Sequence, residues 1–305
     1  MSYGVERRAW RLNEADSRPF IRRALELGIN YFDTADMYGG GESEQVLGRA
    51  LKDFARRDEV VVATKIFYPM RPDPNGSGLS RKAIFAGING SLRRLDTDFV
   101  DLYQIHRWDE GTPIEETLEA LHDVVRMGKA RYIGASSMLA WQFCKALHIA
   151  DRHGWSRFVS MQPHYNLINR EEEREMLSFC RAEGIGVLPW SPLARGRLTR
   201  AWDAPSSTNR VASDETAARL YSGTQKEDQA VIDALGLVAD ARGVTRAESA
   251  LAWLLQQPGV TAVIIGATQA LHLDEAIKAL SLRLQPEDCA ALERHYVPHR
   301  MNFFC

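Results

Sequence analysis

The stretch that decides the fold is residues 29–44, Ile-Asn-Tyr-Phe-Asp-Thr-Ala-Asp-Met-Tyr-Gly-Gly-Gly-Glu-Ser-Glu. It begins with a short apolar strand over residues 29–32, which leads directly to the carboxylate of Asp33. Tyr38 follows five positions later, and after three glycines Ser43 is placed to cap the next helix. Polar side chains at the C-terminal end of a buried strand are typical of active sites in α/β proteins. The stretch therefore predicts an α/β fold with a functional site at this end of the strand.

Helical and strand-like segments alternate along the rest of the chain. We predict further strands over residues 60–64, 99–105, 131–135, 158–161, 185–188 and 260–265. Helices are predicted over residues 14–27, 43–54, 80–92, 112–128, 140–152, 171–182, 271–280 and 286–295, with two more beginning at Thr224 and Thr245. Ser80 is the predicted cap of the third helix, and Thr112 begins a predicted capping box at the fourth. Short, nearly continuous apolar strands indicate a parallel sheet that is covered on both faces. The irregular tract over about residues 192–223 is long enough to be functional or mobile.

The chain has neither a dinucleotide-binding fingerprint nor an interdomain linker. No Gly-x-Gly-x-x-Gly pattern follows a strand, which argues against a Rossmann domain, so we predict one closed barrel over residues 1–305. Seven strands occupy barrel positions, whereas eight are needed. The missing strand should precede the first helix, where the chain offers only Met1-Ser2-Tyr3-Gly4. Either the true start lies upstream, or the barrel is open or is completed by a partner.

The composition excludes several classes of function. A formal net charge of -2 gives no reason to expect nucleic acid or an anionic membrane surface as a partner. Cys144, Cys180, Cys289 and Cys305 form no Cys-x-x-Cys pair or Cys/His cluster, which favours a reducing compartment without disulfides or structural zinc. The sequence contains no apolar run of about 18 residues and no signal-peptide core at its start. We expect a soluble, cytoplasmic protein.

Four titratable side chains lie at or just past the ends of consecutive predicted strands: Asp33, Tyr38, Lys65 and His106. In a parallel barrel these strand ends share one face, so the four side chains converge. Carbonyl reduction needs a proton donor near the developing alkoxide, but tyrosine, with a free pKa of about 10, is a poor acid at neutral pH. Lys65 would lower that pKa, Asp33 would balance the buried ammonium, and His106 would hydrogen-bond the substrate oxygen. This chemistry needs no metal ion.

Each of the four residues has a structural alternative when it is considered alone. Asp33 could be a turn carboxylate, and Lys65 could extend its ammonium from a strand end to solvent. His106 could be a core histidine, and Tyr38 could serve packing. Their order along the chain and their common position at strand ends favour the catalytic interpretation of the set.

The set resembles the Asp-Tyr-Lys-His tetrad of the aldo-keto reductases at all four positions, and residues 33–38 resemble the family's Asp-x-x-x-x-Tyr signature. The resemblance extends from residue 1 to about residue 300. It implies a (β/α)8 TIM barrel that lacks the family's N-terminal hairpin and most of the first barrel strand, since Met1-Ser2-Tyr3-Gly4 resembles the segment where that strand ends. It also implies reduction of aldehydes or ketones to alcohols by hydride transfer from NADPH, with Tyr38 as the general acid.

The resemblance further implies a nicotinamide-cofactor site at the later strand ends. Ser136, Ser137 and Gln162 resemble the residues that hold the carboxamide, and Trp190 stands where a tyrosine commonly stacks on the nicotinamide ring. The remaining positions resemble the family's pyrophosphate loop and adenosine-phosphate segment: Ser191, Pro192, Leu193, Arg195, Gly196, Gly266, Thr268, Gln269, His272 and Glu275. Many relatives carry a lysine or arginine in the second segment, where this chain has Gly266 and His272. NADH therefore remains an alternative to NADPH.

Substrate choice should depend on the loops around the predicted site. The candidates are Phe67-Tyr68, Trp108 and the tract over residues 192–223, and their aromatic side chains favour an aromatic or medium-sized aldehyde. Two other interpretations stay open at this point. One is a cofactor-binding regulatory protein similar to channel β subunits, and the other is a reductase made inactive by loss of its first strand. The oligomeric state is not determined by the sequence.

Overall fold

The computed structural model describes residues 3–4, 12–204, 215–221 and 223–299, without the side chains of residues 215 and 218. The chain divides into two compact units, Met1–Gln162 and Pro163–Cys305, here called unit 1 and unit 2. Residues 1–2 of the expected strand end lie outside the described residues, as do positions 205–214 and 222 of the long irregular tract. The single-domain organisation and the missing first strand therefore stay predictions, whereas the α/β class is confirmed.

Unit 1 contains a parallel sheet whose strands follow chain order: β1 (Tyr31–Asp33), β2 (Val61–Ile66), β3 (Val100–Ile105), β4 (Ala130–Ser136) and β5 (Phe158–Gln162). In the register of the first three strands, Asp33 lies opposite Ala63 and Lys65 lies opposite Gln104. Consecutive buried residues such as Val62 and Ala63 show that side chains on both faces of β2 are covered. The carboxyl ends of β1, β2 and β3 therefore lie side by side.

The described helices of unit 1 alternate with these strands: α1 (Glu14–Glu26), α2 (Glu42–Phe54), α3 (Arg81–Leu95), α4 (Ile114–Arg126) and α5 (Ala140–His153). Ser80 caps α3 as predicted, because its hydroxyl accepts a 3.3 Å hydrogen bond from Ala83 N. Helices α2 and α3 pack closely at Gly48, where an added Cβ would collide with the backbone carbonyl of Leu95. This contact fixes α2 directly after the loop that carries Tyr38.

Two predicted helix caps in unit 1 are wrong. The N-cap of α2 is Gly41, and Ser43 lies inside the helix, where its hydroxyl accepts a 3.0 Å hydrogen bond from Thr34 Oγ1. The N-cap of α4 is Pro113 rather than Thr112, whose hydroxyl donates a 2.8 Å bond to Asp109 Oδ2. In both cases a hydroxyl near the helix start bonds a loop or strand-end side chain instead of the helix backbone.

Unit 2 contains β6 (Gly186–Val187) and six described α-helices: α6 (Met176–Ala182), α7 (Glu215–Tyr221), α8 (Gln225–Arg242), α9 (Arg246–Leu255), α10 (Ala270–Ser281) and α11 (Pro286–Glu293). Thr245 and Glu248 form the capping box of α9, which confirms the predicted helix start there. The helix predicted over residues 171–182 is divided into a 3₁₀ turn, Glu171–Glu173, and α6. The strand predicted over residues 260–265 is represented by isolated parallel bridges, of Val260 with Val187 and of Ile264 with Trp190.

Among the described residues, none of the helices has the length and apolar character that crossing a membrane requires.

Candidate active site

The centre of unit 1 is a buried ion pair between Asp33, the last residue of β1, and Lys65, near the end of β2. The Lys65 ammonium donates to Asp33 Oδ2 and, over 2.9 Å, to the backbone carbonyl of Thr34. The Lys65 side chain is fully buried and the Asp33 side chain is only 5% exposed. Asp33 Oδ1 also accepts hydrogen bonds from two amides, Gln104 Nε2 at 3.1 Å and Gln162 Nε2 at 2.9 Å. A buried charge pair needs such satisfied hydrogen bonds to be tolerated.

Tyr38 lies above this ion pair in the 3₁₀ turn Tyr38–Gly41, and its side chain is partly exposed. Lys65 Nζ lies 5.3 Å from the centroid of the Tyr38 ring. Burial raises the pKa of Tyr38 above its ordinary value, and the nearby Lys65 ammonium acts in the opposite direction. The contribution of Lys65 thus has the predicted sign, but burial is larger and the tyrosine is held in its protonated form. Burial by itself would lower the pKa of Lys65, yet the charge and hydrogen bond of Asp33, together with the contribution of Tyr38, outweigh burial and raise it.

His106 follows β3 directly, and its backbone N–H donates a 2.9 Å hydrogen bond to the carbonyl of Ile66. Its ring contacts the Tyr38 ring edge-on, with centroids 5.7 Å apart and planes at 78°. Burial holds the pKa of His106 well below its ordinary value, and the positive charges of Lys65 and Arg107 lower it further. The imidazole is therefore neutral at physiological pH, with one ring nitrogen as a donor and the other as an acceptor.

A second buried polar network lies behind Lys65, and sequence reasoning missed it. Glu44, in the first turn of α2, is fully buried and accepts hydrogen bonds from Thr64 Oγ1 and Arg94 Nε, both at 2.6 Å. Asp36, which is also buried, has its pKa raised to about 7 by burial and then by the charge of Glu44. Because Thr64 precedes Lys65, this network fixes the end of β2. The sequence gives little signal for it, since a glutamate in the first turn of a helix is ordinary.

The residues predicted to hold the carboxamide lie together at the ends of β4 and β5. Ser136 Oγ donates a 2.8 Å hydrogen bond to the backbone carbonyl of Gln162, and Ser137 N donates a 3.2 Å bond to the same oxygen. Ser137 adopts a left-handed conformation, with φ at 48°. The Gln162 side chain contacts Asp33, so these three residues adjoin the ion pair within unit 1.

Trp190 in unit 2 belongs to an aromatic cluster that the sequence did not predict. Its ring stacks on His164, with centroids 4.2 Å apart and planes at 14°. His164 Nε2 lies 2.8 Å from the hydroxyl of Tyr221, and Asn166 Nδ2 donates to Ser191 O at 3.0 Å. The cluster fixes the orientation of the Trp190 indole and of the loop that follows it.

The predicted cofactor loop is a tight turn that leads into a 3₁₀ segment. Its predicted residues are Ser191, Pro192, Leu193, Arg195 and Gly196. Ser191, Ala194, Arg195 and Gly196 have φ values between 46° and 95°. Successive left-handed and turn conformations point backbone N–H groups to one side, as anion-binding loops do. Together with the guanidinium of Arg195, this donor set fits a pyrophosphate.

The other predicted cofactor segment lies at the start of α10. The helix begins at Ala270, Gln269 is its N-cap, and Thr268 N donates to His272 Nδ1 at 3.3 Å. Gly266 is exposed and Glu275 is partly exposed. A helix N-terminus of this kind favours a phosphate group.

The predicted substrate residues Phe67 and Trp108 are partly exposed and lie in the loops after β2 and β3. Phe67 packs edge-on against Tyr68 with ring centroids 5.2 Å apart, and the ring centroids of Trp108 and Trp141 are 6.2 Å apart. Tyr68 in turn contacts His106. Sequence reasoning named Tyr68 together with Phe67, but it did not name Trp141 as part of these aromatic groups.

The sequence model of the aldo/keto reductase family matches residues 1–297 of the chain. The chain is 43% identical to versiconal hemiacetal acetate reductase of Aspergillus parasiticus, over 99% of this chain and 93% of that protein. It is 40% identical to the aldo-keto reductase AMT2 of Alternaria alternata, over 94% of this chain and 83% of that protein. It is 39% identical to the putative aryl-alcohol dehydrogenase AAD16 of Saccharomyces cerevisiae, over 99% of this chain and 93% of that protein.

The chain therefore belongs to the aldo/keto reductase family. Family membership and relatives named as reductases make it an NAD(P)H-dependent oxidoreductase that acts on small-molecule carbonyl compounds. The resemblance derived from Asp33, Tyr38, Lys65 and His106 is confirmed at the level of the family.

Proposed function

We propose that the protein reduces aldehydes or ketones to alcohols with NADPH, and that Tyr38 supplies the proton. The observation that carries this proposal is the fully buried ammonium of Lys65, bonded to Asp33 and 5.3 Å from the centroid of the Tyr38 ring. A buried ammonium beside a tyrosine stabilises the tyrosinate that forms when the hydroxyl gives up its proton. The arrangement suits a reaction in which negative charge moves from a substrate oxygen to the tyrosine oxygen.

Tyr38 begins the reaction protonated, because burial raises the pKa of its hydroxyl. As the carbonyl oxygen gains negative charge it becomes basic, and the Tyr38 O–H donates its proton to that oxygen. Lys65 lowers the cost of the tyrosinate, and Asp33 keeps the ammonium charged and in place. In the reverse direction the same tyrosinate accepts the proton of an alcohol, which agrees with relatives named as aryl-alcohol dehydrogenases.

His106 orients the carbonyl in this proposal. Its imidazole is neutral, because burial and the charges of Lys65 and Arg107 lower its pKa. A neutral N–H donor can hydrogen-bond the substrate oxygen without competing with Tyr38 as the acid. Phe67 and Trp108 would contact the rest of the substrate, which favours an aromatic carbonyl compound.

The cofactor supplies the hydride that reduces the carbonyl carbon. Ser136, Ser137 and Gln162 would bind its carboxamide with hydroxyl and amide groups, and Trp190 would stack on its ring. The turn Ser191–Gly196 with Arg195 would bind the pyrophosphate, and Gly266, Thr268, Gln269, His272 and Glu275 would contact the adenosine phosphate. NADPH is the proposed cofactor because it is the usual one in the family, and NADH is the alternative to be compared.

The substitution Tyr38→Phe tests the proposal. It removes the proton donor and retains the ring, so we expect at least a roughly 100-fold loss of NADPH-dependent aldehyde reduction. Cofactor binding, followed by quenching of protein fluorescence, should change less than twofold. Retained turnover in Tyr38→Phe would refute the assignment of the acid.

Two other expectations belong to this proposal. The (β/α)8 barrel and a cytoplasmic location remain predictions, supported by family membership and by the scattered cysteines respectively.

A regulatory role like that of channel β subunits is the alternative to catalysis. It would be favoured by cofactor binding with little turnover and by a stoichiometric partner.

A further inference from the structure

His106 is in contact with two tyrosine rings, and only one of them belongs to the predicted tetrad. Besides Tyr38, the ring of Tyr68 meets the imidazole edge-on, with centroids 5.0 Å apart and planes at 81°. Tyr68 lies two residues after the end of β2, whereas His106 directly follows β3. The contact therefore joins the loops that follow neighbouring strands.

Tyr68 is itself fixed by the residue next to His106. Arg107 Nε donates a 2.9 Å hydrogen bond to the Tyr68 hydroxyl, and Phe67 packs edge-on against the Tyr68 ring. The guanidinium of Arg107 is a rigid planar donor, so this bond determines where the hydroxyl end of the tyrosine lies. The positions of His106 and Tyr68 are thereby coupled through Arg107.

This packing is important because of the surroundings of Nδ1, one of the two ring nitrogens of His106. A histidine that orients a substrate is usually fixed by a hydrogen bond on its second ring nitrogen. In the part of the chain that the structure describes, His106 Nδ1 is buried without a hydrogen-bond partner. The orientation of the ring then depends on the surfaces that it packs against, and these include the rings of Tyr38 and Tyr68.

We propose that Tyr68, held by Arg107, is a positioning residue that orients His106 towards the substrate oxygen. The inference rests on the proposed role of His106 in carbonyl reduction. Edge-on aromatic contacts have a preferred geometry, so they can fix a ring without a hydrogen bond. The positive charge of Arg107 has a second effect, since it helps to keep the imidazole neutral, a form that donates a hydrogen bond without being a cation.

Three substitutions separate the parts of this arrangement. Tyr68→Phe keeps the ring and removes the acceptor for Arg107, Arg107→Gln removes the guanidinium, and Tyr68→Leu removes the ring. We expect kcat for an aromatic aldehyde to fall about tenfold in the first two variants and about 100-fold in Tyr68→Leu. Tyr132→Phe, at a tyrosine on β4 that is 59% exposed, is the matched control and should leave kcat unchanged.

The decisive measurement repeats Tyr68→Leu in a His106→Gln background. If Tyr68 acts through His106, the double variant is no slower than His106→Gln alone. If Tyr68 instead contacts the substrate directly, its removal lowers kcat/KM by the same factor in both backgrounds, and the proposal is overturned.

A spectroscopic readout separates this inference from the proposed reaction. In nitrogen-15 correlation spectra of the imidazole groups, with the His106 signals assigned by their loss in His106→Gln, we expect one neutral tautomer in the parent protein. Tyr68→Leu should shift and broaden those signals, while Tyr132→Phe should not. Shifted signals in a protein that reduces no aldehyde would support the positioning role and refute the proposed function. Unchanged signals in Tyr68→Leu would refute the positioning role whatever the activity.

Discussion

Gln162, at the end of β5, donates a 2.9 Å hydrogen bond from Nε2 to Oδ1 of Asp33, the carboxylate that holds Lys65. The same oxygen accepts a 3.1 Å bond from Gln104, the residue opposite Lys65 in the sheet register. Two strand-borne amides thus fix one carboxylate oxygen, and Lys65 bonds the other. Gln162, which is proposed to bind the cofactor, therefore also stabilises the ion pair of Asp33 and Lys65.

Replacing these two glutamines separately should distinguish the two roles. Each of Gln104→Leu and Gln162→Leu removes a hydrogen bond to a buried carboxylate, so each should lower the free energy of unfolding by about 1.5–3 kcal/mol. Only Gln162→Leu should also weaken NADPH binding. Urea unfolding and fluorescence titration with NADPH provide the two measurements. An equal change of cofactor affinity in both variants would show that Gln162 has no cofactor role beyond its bond to Asp33.

The buried carboxyl of Asp36 should make stability depend on pH. Its pKa is raised from 3.8 to about 7, so the folded protein retains a proton that the unfolded chain releases within this window. Asp36 therefore costs stability progressively as pH rises from 3.8 to about 7. Asp36→Asn removes this cost. We expect the variant to match the parent near pH 4 and to be more stable at pH 8 by an amount on the order of a few kcal/mol.

Denaturant unfolding at several pH values measures this effect. Asp96→Asn is a suitable control, because the Asp96 side chain is 61% exposed and its ion pair with Lys52 lies at the surface. Exposed pairs contribute little, so this variant should change stability by less than about 1 kcal/mol at either pH. A pH-independent difference between Asp36→Asn and the parent would contradict the assignment.

The proposed tetrad could be found from the sequence because of one property of parallel strands. Asp33, Lys65 and His106 each lie at a strand end, and neighbouring carboxyl ends must meet. Gln104 was missed, although its register position opposite Lys65 follows from the same sheet. The Glu44–Arg94 bond could not be predicted in this way, since it joins α2 to α3 across 50 positions and depends on how two helices pack.

Errors in the predicted elements have a similar origin. The pattern of residues 171–182 is helical in its periodicity, but Glu171 bonds the Tyr296 hydroxyl and Arg174, and the segment divides into a turn and a helix. Ser43 and Thr112 have the residue types of helix caps and use their hydroxyls elsewhere. The local preference of a sequence for a helix or a helix cap is overridden where a side chain distant in the sequence forms a more favourable hydrogen bond.

Gly41→Ala should disturb the loop that carries Tyr38 and the network behind it. Gly41 has φ at 101°, and an added Cβ would lie 2.6 Å from Arg94 Cδ, whose guanidinium bonds Glu44. Gly128→Ala is the matched control, because φ there is 72° and no atom lies within 4 Å of the added Cβ. The control should lose only about 1–2 kcal/mol of stability, which is the cost of a left-handed backbone conformation for a residue with a Cβ. Gly41→Ala should lose more stability and also lower kcat, and equal effects in both variants would contradict the role of the Arg94 contact.

His299, near the end of the described chain in unit 2, should contribute a stability that is lost at high pH. Its Nε2 lies 3.0 Å from Asp228 Oδ1, its backbone N–H donates to Glu171, and its ring stacks on Tyr296. Burial by itself would lower the pKa of His299, but the hydrogen bond and charge of Asp228 outweigh it, so the pKa is raised. A raised folded pKa means that the stabilisation is complete below the unfolded value of about 6.5. It is then lost as pH rises through the higher folded value.

The comparison of His299→Gln with the parent protein tests this sign. The glutamine can hydrogen-bond Asp228 but carries no charge at any pH. We expect the variant to be less stable than the parent by about 1–2 kcal/mol at pH 5.5, where a charged hydrogen bond is lost. The two proteins should approach each other at pH 9, where the histidine of the parent is neutral. A difference that grows with rising pH would show that Asp228 does not hold the imidazolium, and that the neutral ring is the form that packs against Tyr296.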